Sequence, residues 1–222
     1  MSDLRKLLHD NDTRFVNWAG QLSDADWQQP SLCTEWRNHD VLAHLVVGYR
    51  ASGTELGRYL FRHRGSFDRA NKALSTDVAR RRSPAALLDE FSTLIRRPRG
   101  VGRVFPRRLL LGDHVIHELD IALALNRPPE VTPEALVAVL NTQVRVPNPF
   151  VPAAARARGL RLCATDVDWT HGVSAPTVTG GAADLASVLA GRPYALERLR
   201  GSGVDELRDR LARDWAANPG AG

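Results

Sequence analysis

The sequence predicts a mainly α-helical protein, with a helical bundle followed by a small α+β domain. Apolar residues recur at helical spacing through roughly the first two thirds of the chain. One segment, from about 106 to 126, is apolar nearly all round, as expected for the central helix of a bundle. Strand-like alternation begins only after a proline-containing stretch near residue 150. We therefore expect a bundle over residues 1–147 and an α+β domain over 155–217.

The composition is that of an ordinary globular protein. The 222 residues are 43% hydrophobic and 25% charged, with a formal net charge of +5, which excludes disordered and collagen-like classes. No apolar run reaches the roughly 18 residues of a membrane helix, and the first residues lack the order of a signal peptide. Two cysteines, Cys33 and Cys163, cannot build a disulfide framework. These features predict a cytoplasmic protein without a membrane partner.

The bundle is expected to contain five helices. Helical periodicity predicts helices over about 3–22 and 38–62, separated by a long connection over 24–35. Ser83 before Pro84 is a typical helix start and predicts a third helix through Leu94. The all-round apolar helix follows from about 106 to 126, and Thr132-Pro133 opens a helix to about 144.

The C-terminal part combines short strands with two helices. Pro147, Pro149 and Pro152 indicate a linker. Alternation over 160–164, reaching Trp169, predicts a strand, and a turn at 170–172 leads to a second strand that ends near Thr179. Helices are predicted over 182–189 and about 204–215.

Three side chains form the candidate site: His44, Asp113 and His117. Asp113 and His117 lie four residues apart, so on a helix they are about 40° apart and one turn along. If the face that carries His44 meets this pair, two imidazoles and one carboxylate surround a point with an open position. Bundle cores often hold such metal sites.

Simpler interpretations stand beside the metal site. Asp113 and His117 could be an ion pair, and His44 a hydrogen-bonded core residue. His114, three residues before His117, is an alternative ligand. Asp40 and Asp120 could orient the imidazoles, although Asp40 could equally favour the helix dipole and Asp120 could be a solvated or ion-paired carboxylate.

Motifs at several separated places carry a family resemblance. They are PSLCTEW at 30–36, DVLAHL at 40–45, LGDHVIHELDIA at 111–122, and ATD, Trp169, GGAADL and LAGRP between 164 and 193. Together they resemble the mycothiol-dependent maleylpyruvate isomerase family, whose metal-binding N-terminal domain is a DinB-like up-down bundle. Asp113 stands where many members have Glu, and Arg37 stands where a Thr usually follows the motif tryptophan.

The resemblance implies a metal-dependent enzyme that uses a thiol. The family's ligands correspond to His44, Asp113 and His117, with Zn²⁺ as the expected ion and mycothiol as the thiol cosubstrate. The implied chemistry is addition of the thiol to a small electrophile, as an isomerase or an S-transferase. The alternative is a non-catalytic, metal-binding DinB-like stress or regulatory protein.

The arginines suggest where an anionic substrate or thiol could bind. Arg108 belongs to a basic stretch over 96–108, and Arg192 follows a predicted helix; either guanidinium could hold a carboxylate. A solvated basic loop and a charge at a helix end are the alternatives. Without a recognisable DNA-binding motif, we do not expect a nucleic-acid partner. We expect a monomer or homodimer, and the sequence names no catalytic residue.

Overall fold

The computed structural model describes residues 3–148, 151–173 and 176–217. Among these residues the helices dominate, and the sheet is small, which confirms the predicted fold class. The helices are α1 (Leu4–Ala19), α2 (Asp24–Gln28), α3 (Asn38–Arg50), α4 (Gly53–Arg62), α5 (Phe67–Arg81), α6 (Pro84–Arg96), α7 (Arg107–Ala124), α8 (Pro133–Arg145), α9 (Ala153–Ala157), α10 (Ala182–Leu189) and α11 (Val204–Ala217). Short 3₁₀ turns cover Gly100–Arg103 and Pro193–Arg198.

By its contacts the chain divides into two units. The first contains Met1–Leu110 and Asp120–Glu130, and the second contains Leu111–Leu119 and Val131–Gly222. Helix α7 is unbroken, with both ends in the first unit and its middle in the second. The predicted domain boundaries at 147 and 155 stay a prediction.

The first unit is organised around α3, which packs against α2, α5, α6 and the 3₁₀ turn at Gly100–Arg103. Its core contains Leu42 and Leu45 of α3, both at most 1% exposed. Phe91 of α6 packs edge-on against Phe15 of α1, with ring centroids 6.0 Å apart. Burial of each such large side chain contributes about 1.5–3 kcal/mol. Because α3 packs against several of these elements, it is held on more than one side.

The second unit contains a three-stranded sheet in the order β2-β1-β3. Its strands are β1 (Arg161–Ala164), β2 (Thr170–His171) and β3 (Thr177–Gly180). Strand β1 pairs antiparallel with β2, with Leu162 opposite His171, and parallel with β3, with Leu162 opposite Val178. Because Leu162 and Val178 are fully buried, this register places one face of the sheet in the core of the unit.

The prediction of a single helix over 38–62 is wrong, because α3 ends at Arg50 and a separate helix, α4, begins at Gly53. The amides of Arg99 and Val101 donate to the carbonyl oxygens of Tyr49 and Ala51, at 2.8 and 2.9 Å, and so satisfy backbone groups at the end of α3. Ser52 then starts α4, because its Oγ accepts the amide hydrogen of Glu55 at 3.0 Å.

Four further details differ from the prediction. The connection over 24–35 contains α2. This helix starts after Ser23, whose side chain and backbone form a capping box with Asp26. Helix α5 was not predicted, and α9 lies in the region of the predicted linker. Two residues of the predicted turn over 170–172 form β2. Pro149 of the linker lies outside the described residues. The remaining predicted helices and strands are confirmed within a few residues at their ends.

No helix in the described ranges combines the length and the mean hydropathy needed to cross a membrane.

The 3₁₀ turn gives the first testable prediction. A Cβ at Gly102 would lie 2.8 Å from the Cα of Tyr49 and 2.9 Å from the carbonyl oxygen of Gly48. Because both are backbone atoms of α3, Gly102→Ala should lower the free energy of unfolding by about 1–3 kcal/mol. Gly57→Ala is the matched control, since a Cβ there meets nothing within 4 Å inside α4. That change should stabilise by about 0.5–1 kcal/mol. Urea unfolding measures both, and equal stability of Gly102→Ala and wild type would reject the contact.

Candidate metal centre

Helix α7 sets the spacing of two candidate ligands. Because Asp113 and His117 are four residues apart on one unbroken helix, their side chains lie on the same side. The Oδ1 of Asp113 lies 3.6 Å from the Nε2 of His117. Two atoms bound at about 2.0–2.1 Å to one tetrahedral ion are about 3.3 Å apart, so the observed separation is close to that of a shared ion. The same distance also permits an ion pair if His117 is protonated.

Helix α3 supplies the third candidate ligand, His44, which is 9% exposed. One potential ligand atom from each of His44, Asp113 and His117 lies within 4.8 Å of the other two. Two imidazoles and one carboxylate suit zinc and also manganese, iron, cobalt or nickel. A site with three protein ligands leaves a coordination position for a substrate or a thiol. The residues present therefore fit a divalent metal ion.

A second cluster shares His117. Potential ligand atoms of Cys33, His117 and Asp120 also lie within 4.8 Å of one another, and all three residues are buried. Asp120, predicted to orient an imidazole, is 1% exposed. Its carboxylate is therefore near His117 and away from water, as a group that orients a ligand should be. The alternative interpretation of Asp120, as a solvated carboxylate, does not match this burial.

His114, the alternative ligand, is also buried at 3% exposure. It belongs to neither cluster of potential ligands found among the described residues. The geometry thus favours Asp113 over His114 as the partner of His117.

Asp40 acts locally at the start of α3. Its Oδ2 accepts hydrogen bonds from the backbone amide of Arg37 at 3.0 Å and from the Nε of Arg37 at 3.1 Å. The carboxylate thus supplies the cap that Arg37, in the place of the usual Thr, does not provide with a side-chain oxygen. These contacts match the helix-terminus interpretation of Asp40.

The two predicted anion-binding arginines differ in environment. Arg108 is exposed and lines a shallow surface cleft of about 470 Å³, together with Arg107 and residues at the start of α1. Arg192 is only 7% exposed, and its Nη1 donates to the carbonyl oxygen of Ala190 at 3.0 Å. Arg192 therefore stabilises the C-terminal end of α10, within the second unit.

The sequence did not single out Asn71 as a neighbour of His44. Asn71 lies on α5, and its Nδ2 is 3.2 Å from the Nδ1 of His44. The ring of Trp36 lies against the same imidazole, with centroids 5.2 Å apart. Trp36 belongs to the PSLCTEW motif at 30–36. Asn71 is 27 positions from His44, in a helix that hydrophobic periodicity did not predict, so no local signal in the sequence pointed to it.

The comparisons with known proteins bear on this geometry. Residues 8–100 match the model of a family described as the mycothiol maleylpyruvate isomerase N-terminal domain. This part of the chain is therefore similar to that family. The resemblance predicted from the sequence motifs is thereby confirmed. The family match includes His44 and ends before Asp113 and His117.

Solved structures extend the likeness to most of the fold. The chain resembles a crystal structure of a mycothiol-dependent maleylpyruvate isomerase, with a TM-score of 0.52 and 14% identity over 90% of this chain and 91% of that chain. A histidine-to-alanine mutant of such an isomerase gives a TM-score of 0.50 at the same identity and coverage. At this identity the likeness shows the fold. Comparison with curated proteins gives no match.

The electrostatics of α3 give a second testable prediction. His39 is 6% exposed, and burial lowers its pKa below the usual value, although a hydrogen bond to the backbone of Arg82 and the charge of Asp40 oppose this effect. Its Nε2 has no hydrogen-bond partner among the described residues. As the pH falls through about 6.5, the unfolded chain binds a proton that the folded chain resists. The free energy of unfolding should therefore decrease with acidification.

His39→Gln should make this decrease smaller, because glutamine does not titrate. Urea unfolding at pH 7.5 and 5.5 measures the difference for wild type and variant. Asn17→Gln is the control, since it lies on the exposed face of α1 and changes no titratable group, so it should leave the pH dependence unchanged. An equal loss of stability in wild type and His39→Gln would contradict the assignment.

Proposed function

We propose that this protein is a metal-dependent enzyme that activates a low-molecular-weight thiol, mycothiol, for addition to a small electrophilic substrate. The observation that carries the proposal is the convergence of His44, Asp113 and His117 within 4.8 Å. The match of residues 8–100 to the isomerase N-terminal domain family supports the choice of thiol. The reaction is an isomerisation, as in the enzymes with similar structures, or an S-transfer.

The three candidate ligands would hold the ion, with zinc as the preferred species. A divalent ion in such a site stabilises the thiolate form of an incoming thiol, which is the nucleophilic form. A free thiol with a pKa near 8.5 is mostly protonated at neutral pH, so this stabilisation addresses the main barrier to its reactivity.

The protein's own residues would position and shield the reaction. In this proposal the buried Asp120 orients the imidazole of His117. The indole of Trp36 covers one side of His44 and limits the access of water to it. Arg192 and Arg108 remain candidates for holding a carboxylate of the thiol or the substrate.

Metal content is the third testable prediction. Purified protein should contain about one divalent ion per chain, and His44→Ala and His117→Ala should each lose most of it, because two ligands do not hold the ion well. Asp113→Asn should also lose it, whereas His114→Gln should retain it. His9→Ala, on the exposed surface of α1, is the control. Elemental analysis measures all five variants, and full metal content in both His44→Ala and His117→Ala would reject the site.

Thiol dependence is the fourth testable prediction. Calorimetric titration of the metal-loaded protein with mycothiol should show binding that His44→Ala abolishes, and maleylpyruvate should be isomerised only when mycothiol is present. Bound metal without mycothiol affinity would instead support the non-catalytic alternative. Titration with duplex DNA tests a nucleic-acid partner, for which none of these observations argues.

A further inference from the structure

Helix α5 presents a polar side chain to the imidazole of His44. The helix packs against α3 through residues such as Ala70 and Leu74, which are at most 1% exposed. Asn71 follows Ala70 and lies one turn before Ser75, which is also fully buried. Its half-buried amide approaches the Nδ1 of His44 at 3.2 Å, within hydrogen-bond distance. A polar residue therefore occupies a packed position of α5 directly beside a candidate ligand.

Two further contacts lie beside this hydrogen bond. Trp36 packs against the imidazole at an interplanar angle of 42°. Lys72, next to Asn71, forms an ion pair with Glu35, next to Trp36. This exposed pair contributes little to stability, but it links α5 to the loop that carries Trp36. The ring of His44 is therefore bordered by Asn71 and Trp36, and the Lys72–Glu35 ion pair connects the segments that carry these two residues.

The orientation of the Asn71 amide determines which nitrogen of His44 can bind a metal. A rotation of 180° about the last side-chain bond exchanges the amide oxygen and nitrogen, so either atom can face the ring. If Nδ2 donates, Nδ1 of a neutral imidazole must accept, and Nε2 then carries the hydrogen. Neither nitrogen would then offer a lone pair to a metal. If Oδ1 accepts, Nδ1 carries the hydrogen and Nε2 keeps its lone pair for the ion.

We propose that Asn71 is a positioning residue, whose Oδ1 accepts a hydrogen bond from Nδ1–H of His44 and thereby directs Nε2 to the metal. The inference rests on the proposed function, because it assigns the role of Asn71 relative to the metal of that site. Imidazoles that bind metals almost always donate their other N–H to a carboxylate, a carbonyl oxygen or water. An amide oxygen provides this acceptor without adding a negative charge beside the ring.

Two substitutions separate acceptance from donation. Asn71→Asp keeps an acceptor of nearly the same shape and cannot donate when ionised, so it should preserve the Nδ1–H tautomer and retain the metal. Asn71→Leu keeps the approximate volume without an acceptor, and its metal affinity should fall about 10- to 100-fold. Asn17→Asp and Asn17→Leu are matched controls on the exposed face of α1 and should leave the affinity unchanged. Thermal unfolding of each variant identifies any loss of folding.

The first measurement is made on metal-free protein. Two-bond ¹H–¹⁵N spectra of histidine-labelled protein at pH 8 report which ring nitrogen is protonated, and His44→Gln assigns the signal. We expect His44 to be the Nδ1–H tautomer in wild type and Asn71→Asp and to lose this preference in Asn71→Leu. An Nε2–H tautomer in wild type, or the same tautomer in Asn71→Leu as in wild type, would overturn the inference.

The second measurement is metal affinity by competition with a chromogenic chelator. Rescue by Asp but not by Leu supports the acceptor role, and loss of affinity in both variants contradicts it. Wild-type protein that binds no divalent metal would refute the proposed function. The tautomer spectra would still decide separately whether Asn71 accepts from His44.

Discussion

The candidate site depends on a four-residue spacing within one unbroken helix. Helical geometry brings Asp113 and His117 to the same side of α7 whatever the rest of the chain does. The third residue, His44, comes from another helix, so its position has to be set by tertiary packing. The anchoring of α3 is therefore the part of the fold on which the chemistry depends most.

The start of α3 is anchored by polar groups that burial makes costly to leave unpaired. The backbone amide of Asn38 donates to the carbonyl oxygen of Gln29 at 3.0 Å, and its side-chain amide donates to that of Asp26 at 2.9 Å. The loop between α2 and α3 is also tied to α7, because the amide of Leu32 donates to the carbonyl oxygen of Asp120 at 3.1 Å. These bonds fix the loop that contains Cys33 and Trp36. The start of α3 and the loop before it are thus held by one set of hydrogen bonds, which also reaches α7.

The sequence predicted the elements that local rules determine and missed those that depend on tertiary contacts. Helices α6, α8 and α10 were located well because capping residues or continuous apolar periodicity mark them. Helix α5 was missed because the residues it buries are mostly small, such as Ala70 and Ala79, among many charged ones. The break after Arg50 was missed because backbone amides near residue 100 help to cause it.

The same distinction applies to the site. The pair on α7 follows from spacing. His44 was included on the condition that its helix face meets this pair, and the family resemblance then assigned a ligand to the same position. The contact of Asn71 with His44 joins positions 27 apart on different helices, and the proximity of Cys33 to His117 joins residues 84 positions apart. No periodicity or local motif encodes such contacts, because they arise only when the helices pack.

Three kinds of observation bear on the candidate site, and each covers a different part of the chain. The family match reaches residue 100 and so includes only His44. Helix geometry relates Asp113 to His117 but says nothing about α3. The likeness of fold, over 90% of the chain, concerns the backbone and not these side chains. Their convergence at one point therefore does not follow from any one of these observations. A shared function for His44, Asp113 and His117 explains their proximity better than an ion pair between Asp113 and His117 alone. Such an ion pair gives no reason for the imidazole of His44 to lie beside it.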